Sequence, residues 1–326
     1  MALTYDMLAT STFHVMRRKI AEAVFKGNPL SAWLLSKNRV KTESGGLYIA
    51  EPVIYAENNT VASYKGYDKL NVQPTEELTN ARFNWRQVAG TVSISGEEEM
   101  KNAGPEQIFK MLGTKVTVLQ KSFRQELNRQ LCQTASAANP KDILGLDALV
   151  EVLAASSQST VGGINRSTYQ WWANKFSAST STTVVDPMRT FLNDVSEGIE
   201  RPDLILTTQT LFEQYEKEGY GKLQLNDTGA LELGFDSQRF KGITMMWDAM
   251  LADSSLRGSG SPYRDKCMYF LNSEYLSVTI HKRRNFVMSK FRTPPDQDAR
   301  VAQMLFMGNT TVANSRYQGV LTFQNI

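Results

Sequence analysis

Between Pro105 and Gln133 the apolar residues Ile108, Leu112, Val116, Leu119, Phe123, Leu127 and Leu131 recur at steps of four and three. That period is helical and gathers all seven into one continuous stripe. Pro105 suits the first helical position, where its missing N–H has no intrahelical acceptor to lose. The other side carries Lys110, Lys115, Lys121, Arg124, Glu126 and Arg129 in varying degree. At about 1.5 Å per residue the predicted helix is about 40 Å long. That is long for an ordinary globular domain and suits a spine. The 326-residue length itself points to about two domains.

Upstream, residues 5–26 read as a helix, with Tyr5, Leu8, Phe13, Met16, Ile20, Val24 and Phe25 on helical spacing until Lys26-Gly27-Asn28-Pro29 stops it. Seven basic residues and two acidic ones precede Thr42, so this arm is mildly cationic. A solvated helix face accounts for that, and contact with a polyanion is the other reading. Residues 46–73 read as a long hairpin. Leu47, Ile49, Val53 and Tyr55 share one face, Glu57-Asn58-Asn59-Thr60 turns, and VASYKGYDKLNV returns. Such a ribbon buries little by itself, so it is expected to lie against something else, such as another subunit. Residues 79–95 form a second extended stretch. Its apolar positions switch from odd (Phe83, Trp85) to even (Val88, Val92, Ile94), which predicts a bulge or bend around Gln87–Gly90.

Downstream, residues 142–265 have α/β character. Asp142–Ala155 is predicted helical, and 156–183 is rich in Ser, Thr and Gly. Asp186-Pro187 opens a helix with Met188, Phe191, Leu192, Val195 and Ile199 on one face. DLILTT (203–208) reads as a buried strand, Gln209–Glu218 as a helix, and Arg257–Pro262 as a loop. The C-terminal part is mostly β. Cys267–Asn272 is a strand, and Tyr275–Phe291 is extended but broken by Lys282-Arg283-Arg284. A final hairpin is expected to run up Val301–Met307, turn at Gly308-Asn309 and return along Thr310–Phe323, with Tyr317, Gly319, Leu321 and Phe323 on one face.

The search for chemistry mostly excludes it. Two Cys and two His rule out zinc fingers, iron–sulfur sites, disulfide scaffolds and most histidine-based enzymes. Cys132 and Cys267 read as buried thiols of a chain made in a reducing compartment. His14 and His281 stand alone, without metal-ligand spacing. Gly219-Tyr220-Gly221-Lys222 lacks the hydroxyl residue a P-loop needs, and Gly258-x-Gly260 has no third glycine. Glu97-Glu98-Glu99 suits a helix start better than paired acid–base work. The net charge of +3 argues against a polybasic nucleic-acid binder. No window is apolar enough for a membrane span, and Arg17-Arg18-Lys19 follows apolar residues instead of preceding them, unlike a signal peptide. The expectation is a soluble, cytoplasmically made protein. Trp171-Trp172 reads as core or interface packing. Arg17, Arg18 and Lys19, with Lys282, Arg283 and Arg284, could make sequence-independent phosphate contacts, against the alternative of solvated charged faces. No catalytic residue, cofactor or metal ligand is assigned.

The order of elements is the most informative feature: arm, ribbon, spine helix, α/β insertion, terminal β elements. Local signatures accompany it. They are Gly162-Gly163-Ile164-Asn165-Arg166 with Trp171-Trp172, Phe240-Lys241-Gly242-Ile243 followed by Asp248, Tyr269 through Leu276, and Gly308-Asn309 with Arg316-Tyr317-Gln318-Gly319. Together these resemble the major capsid protein of tailed bacteriophages, with the Hong Kong phage-type fold, over nearly the whole chain. The resemblance implies an α+β chain with an N-terminal arm (1–44), an extended β-ribbon loop (45–78), a peripheral domain (79–141 with the spine helix, and 266–326) and an α/β axial domain (142–265).

It further implies a non-enzymatic homo-oligomer, hexamers and pentamers closing into an icosahedral head around double-stranded DNA bound non-specifically. Tyr55, Val61, Tyr64, Tyr67, Trp171 and Trp172 become inter-subunit candidates. Arg17, Arg18, Lys19, Lys282, Arg283 and Arg284 become DNA-facing candidates. The implied partners are a separate scaffolding protein (no scaffolding segment precedes the ribbon), a cement or decoration protein and a portal at one vertex, with no membrane. The implied place is the virion, after assembly in the bacterial host cytoplasm. Lys65 and Lys69 lie in the ribbon, but no motif marks a cross-linking partner for them. An encapsulin-like nanocompartment is the nearest alternative, and a soluble α/β hydrolase using carboxylates in 186–250 is a more distant one.

Overall fold

A computed structural model describes residues 24–25, 28–101, 105–132, 141–150, 160–219, 237–251 and 266–326. The predicted helix at 5–26 lies outside them except for Val24 and Phe25, which are helical and buried. Next, α1 (Pro29–Ser36) buries Leu30, Trp33 and Leu34. Then come β1 (Val40–Glu43) and β2 (Ile49–Ile54). Residues 55–77 form neither helix nor strand, and β3 (Leu78–Phe83) returns antiparallel to β2, with Ile49 opposite Phe83. The ribbon's return strand is therefore 78–83, not the predicted 61–72. The inward face explains the choice: Ile49 and Val53 need apolar partners, and Ala81 and Phe83 bury fully beside them. Leu47, expected on that face, is 91% exposed.

The phase switch is real but falls at Asn84–Trp85, where β3 ends and β4 (Arg86–Ser95) begins. β4 runs straight through Gly90, because the glycine makes room for a helix. A Cβ there would sit 2.6 Å from Leu119 and Phe123. Ser95 then caps α2 (Gly96–Lys101). Its hydroxyl accepts the Glu98 N–H at 3.2 Å, and the Glu98 carboxylate accepts the Ser95 N–H, a reciprocal capping box.

The spine helix, α3, spans Pro105–Cys132 as its stripe predicted. Val116, Phe123, Leu127 and Leu131 are buried and Leu119 is half-buried. The side chains of Ile108 and Leu112 lie outside the described ones. Of the helix predicted at 142–155, the described residues 142–150 form only the single turn α4 (Leu146–Leu149), and 151–155 lie outside the described residues. Its start is pre-empted: Gln130 takes the Ile143 N–H at 3.1 Å and Asn309 takes the Leu144 N–H at 3.0 Å.

A tight hairpin follows, β5 (Thr160–Val161) and β6 (Ile164–Asn165). Gly162 and Gly163 both take positive φ, as the two-residue turn between them requires. A one-turn 3-10 helix (Gln170–Trp172) leads to β7 (Lys175–Ser179). Then come α5 (Val185–Val195), β8 (Leu204–Thr207) and α6 (Gln209–Gly219), close to prediction. Ile199, expected on the α5 face, is 96% exposed, because the helix stops at Val195 and a turn closed by Glu197 and Glu200 follows.

β9 (Ser237–Phe240), β10 (Ile243–Trp247), β11 (Cys267–Leu271), β12 (Leu276–His281), β13 (Val287–Met288), β14 (Ala299–Val312) and β15 (Gly319–Phe323) complete the chain. The predicted terminal hairpin does not form. β14 passes through Gly308 and Asn309 without turning, and β15 joins another sheet. Gly308 serves close approach instead of a turn, since a Cβ there would meet the Thr279 carbonyl at 2.7 Å.

Two sheets organise these elements. One holds β1-β12-β14-β13, with β4 paired along the other side of β14. The other is six-stranded, in the order β7-β15-β11-β8-β10-β9. Both faces of the second sheet are covered. Ile205, Met268 and Phe270 face α5 and α6, whereas Leu204, Leu206, Tyr269 and Leu271 join the core that also contains the spine stripe. Burial on both faces is why these strands read as continuous apolar runs. Cys132 and Cys267 are both buried thiols.

Candidate functional site

Thirteen large hydrophobic side chains are exposed among the described residues, and nine of them lie between Leu47 and Leu78. These are Leu47, Ile54, Tyr55, Val61, Tyr64, Tyr67, Leu70, Val72 and Leu78. Scattered exposed hydrophobics are ordinary, but a concentration of them on one segment is not. The segment's hydrogen bonds are local. Asn58 Oδ1 accepts from the Thr60 N–H at 2.8 Å, Asp68 accepts the Lys65 N–H at 2.8 Å, and Asn71 accepts the Gln73 N–H at 3.2 Å. Among the described residues no hydrogen bond ties residues 58–73 to the body.

The root of the ribbon is held firmly. The Glu51 carboxylate is buried between three elements. It accepts from Lys41 Nζ of β1 at 3.0 and 3.1 Å and from the Thr311 hydroxyl of β14 at 2.9 Å. The Gly162 carbonyl accepts the Arg82 N–H at 2.8 Å, and a Cβ on Gly162 would lie 2.8 Å from that of Ala81. The β5–β6 turn thus sits directly on β3. Tyr55, 37% exposed, stacks on Trp171.

Tyr55, Val61, Tyr64 and Tyr67 of the expected inter-subunit set are therefore exposed, and Trp171 is half-buried at the ribbon's root. Trp172 is a correction. It is fully buried, its indole N–H donates to the Val161 carbonyl at 3.0 Å, and no outer surface includes it. Ile54, Leu70, Val72 and Leu78 were not singled out from the sequence. The signal available was their lack of any apolar periodicity shared with a buried partner strand.

The basic cluster Lys282-Arg283-Arg284 forms the exposed turn after β12. The Lys282 N–H donates to the Glu43 carbonyl at 2.8 Å, and Arg284 Nη1 donates to Gln87 Oε1 at 2.7 Å. Arg86 stands at the same end of the sheet, opposite Gly308. His281 accepts the Arg283 N–H and meets Trp85 edge-on at 5.5 Å, which is ordinary packing. Two residues beyond Arg284, Phe286 is buried against Phe25, ring centroids 5.8 Å apart. Arg17, Arg18 and Lys19 lie outside the described residues.

No protein-family model matches the sequence, and no curated protein does either. Solved structures do match. The capsid asymmetric unit of cyanophage A-1(L) aligns at a TM-score of 0.65 and 15% identity, over 89% of this chain and 91% of that one. The capsid of the native GTA particle aligns at 0.55 and 10%, over 89% and 90%. The holo-SrpI encapsulin complex of Synechococcus elongatus PCC 7942 aligns at 0.53 and 9%, over 89% and 86%. The chain has the Hong Kong phage-type capsid fold.

Within the capsid fold, four described carboxylates of 186–250 are engaged in structure. Asp186 pairs with Arg189 at 2.7 Å, Asp203 accepts from the Ser273 N–H and hydroxyl, and Glu218 caps α5 through the Val184 and Val185 N–H groups. Asp248 is buried, accepting from Asn128 Nδ2 of the spine at 3.0 and 3.1 Å and from the Met250 N–H at 2.9 Å. Burial pushes its pKa above the usual carboxylate range despite those donors. These groups hold α5, the β8 end and the spine in place. Among the described residues no cluster of three or more His, Cys, Asp or Glu could hold a metal, and no helix is long and apolar enough to cross a membrane.

Proposed function

We propose that this chain is the structural building block of a closed icosahedral shell, the head of a tailed phage, assembled from hexamers and pentamers around double-stranded DNA. The observation that carries the proposal is the ribbon: an extended segment bearing most of the large hydrophobics that are exposed among the described residues. Head-to-tail contacts between copies make rings, and rings close into shells. The ribbon is the element that covers a neighbour, through Tyr55, Val61, Tyr64 and Tyr67, with Trp171 at its root.

On this reading residues 1–44 are the arm, 45–78 the overlapping loop, 79–141 and 266–326 the peripheral domain and 142–265 the axial domain. β11 and β15 cross from the C-terminal segment into the axial sheet. The turn Lys282-Arg283-Arg284, and Arg17-Arg18-Lys19 from the arm, meet packaged DNA through phosphate contacts without reading sequence. Phe25 packs on Phe286, two residues beyond that turn, and Lys19 precedes Phe25 by six residues, a covalent reach of about 22 Å at most. A separate scaffolding protein, a portal at one vertex and a cement protein are the partners such a head uses. The role is architectural and not enzymatic, its place is the virion, and its assembly occurs in the host cytoplasm.

Single-particle imaging of the purified chain tests the proposal. Shells or capsomers are expected, and a monomer under every condition overturns it. The encapsulin match supports one second reading, a nanocompartment enclosing protein. Nucleic acid inside particles from infected cells separates the two, since the nanocompartment reading expects protein cargo instead.

A further inference from the structure

β4 is ten residues long and, among the described residues, bonds to a neighbouring strand on one side only. The directions of its backbone groups can be read from their partners. The Ser93 carbonyl accepts Lys115 Nζ at 2.9 Å, and the Ser95 N–H donates to the Glu98 carboxylate at 3.2 Å. Both point away from β14. On β14 the odd-numbered Gln303 and Met307 bond on the far side, to Ser289 and to the Arg284 carbonyl. Odd residues of β4 pair with odd residues of β14, so the even pairs carry the ladder between them. The N–H and C=O groups of Gln87, Ala89 and Thr91 therefore face outward, and none has a partner among the described residues.

A strand edge like this is ordinarily protected by lysine, proline or a bulge. RQVAGTVSIS has no such device, and its one charge, Arg86, is at the end. Gln87, Ala89, Thr91 and Ser93 are exposed, so the adjoining sheet face is open as well. A monomer with this edge would be at risk of uncontrolled pairing. An assembling protein can use it.

We propose that residues Lys69–Gln73 of a second copy add to this edge as a further strand. This rests on the shell reading of the ribbon. The segment KLNVQ alternates as a strand must, with Leu70 and Val72 on one side and Asn71 on the other. Both apolar side chains are exposed, the segment pairs with no strand among the described residues, and Pro74 ends the run. Lys69 lies nine residue steps from the anchored Leu78, an extended reach of about 30 Å, so the segment can cross to a neighbour. Main-chain bonds would supply affinity, and Leu70 and Val72 would extend the open face past Ala89 and Thr91.

Hydrogen exchange over Arg86–Ser95 tests this. The Gln87, Ala89 and Thr91 amides should exchange at least ~10-fold more slowly in particles than in the unassembled protein. Ala89→Pro removes an outward N–H without removing a bond to β14, and should lower particle yield at least ~10-fold. The double change Leu70→Asp and Val72→Asp lies on the exposed ribbon, and should lower particle yield as Ala89→Pro does, with no protection of the edge amides in the particles that remain. Edge amides that exchange equally fast in particles overturn the proposal alone, as does protection that survives the ribbon double variant. A wild-type chain that never forms particles takes down the shell reading and this proposal with it.

Discussion

Tyr55 stacks on Trp171 with ring centroids 5.5 Å apart and the planes 28° from parallel. This contact joins the residue that follows the ribbon's outgoing strand β2 to the 3-10 turn that leads into the six-stranded sheet. The next residue, Trp172, points the other way into the core. One dipeptide therefore serves two purposes: one indole seats the projecting ribbon and the other fixes the turn that presents it.

The two tryptophans should separate on mutation. Trp172→Ala should cost about 3–5 kcal/mol, because it empties a fully buried indole site. Trp171→Ala should cost only about 0.5–1.5 kcal/mol, the scale of an aromatic pair. Urea unfolding of the unassembled protein measures both. Trp171→Ala should also speed protease cleavage within 55–77 and impair assembly, while leaving the core melting nearly intact. Equal destabilisation by the two changes would contradict this division of roles.

Gly308 gives a sharper packing test. Its missing Cβ leaves room for the Thr279 carbonyl, a backbone group that cannot rotate aside, and for the Phe306 ring. Gly308→Ala should destabilise by about 1–3 kcal/mol, as overpacking does. If Gly308 were a turn residue, alanine would act through a strained φ instead, yet Gly308 is not among the positive-φ glycines. A urea midpoint unchanged by Gly308→Ala would remove the close-approach explanation.

That glycine also shows where reading residues in order stops working. The spine was visible because its stripe is a local, one-dimensional period, and the buried strand Leu204–Thr207 because burial on both faces leaves an apolar run. Glycine at 308 signals a turn and a close approach in the same way, and only the position of Thr279 decides between them. The ribbon was recognised as extended, but its pairing joins Ile49 to Phe83, thirty-odd residues apart, across a segment that never pairs. Trp171 and Trp172 have the same local surroundings, so their opposite fates come from which way the 3-10 turn faces. The six outward backbone groups of β4 were invisible for a similar reason, since a strand's edge exists only once its sheet does.

The turn Lys282-Arg283-Arg284 should reveal phosphate contact through salt. Each contact contributes about −0.9 to the slope of log K against log salt for duplex DNA. Lys282→Ala with Arg283→Ala should therefore flatten the slope by up to about 1.8, with no change in preference among duplex sequences. Arg284 is best left in place because it bonds Gln87. Titration of a labelled duplex at several salt concentrations measures this. An unchanged slope would make the turn a solvated charged face.

Asp248 ties the spine to the six-stranded sheet, and its protonation should be visible in stability. Burial raises its folded-state pKa above the unfolded value, outweighing the Met250 and Asn128 hydrogen bonds that favour the anion. The folded state then binds the proton more tightly than the unfolded state does. Its contribution is fully present below the unfolded pKa, declines as pH rises, and is lost above the folded pKa. Asp248→Asn cannot titrate, although its amide changes the contacts with Asn128 by a pH-independent amount. The stability of the variant minus that of the wild type should therefore climb as pH rises from about 4, and level off once the wild-type carboxyl is ionised in both states. Every other titrating group cancels in that difference. Urea unfolding of the two proteins side by side between about pH 4 and 7 measures it. A difference that stays flat, or falls with pH, would show that the hydrogen bonds and not burial control this carboxyl.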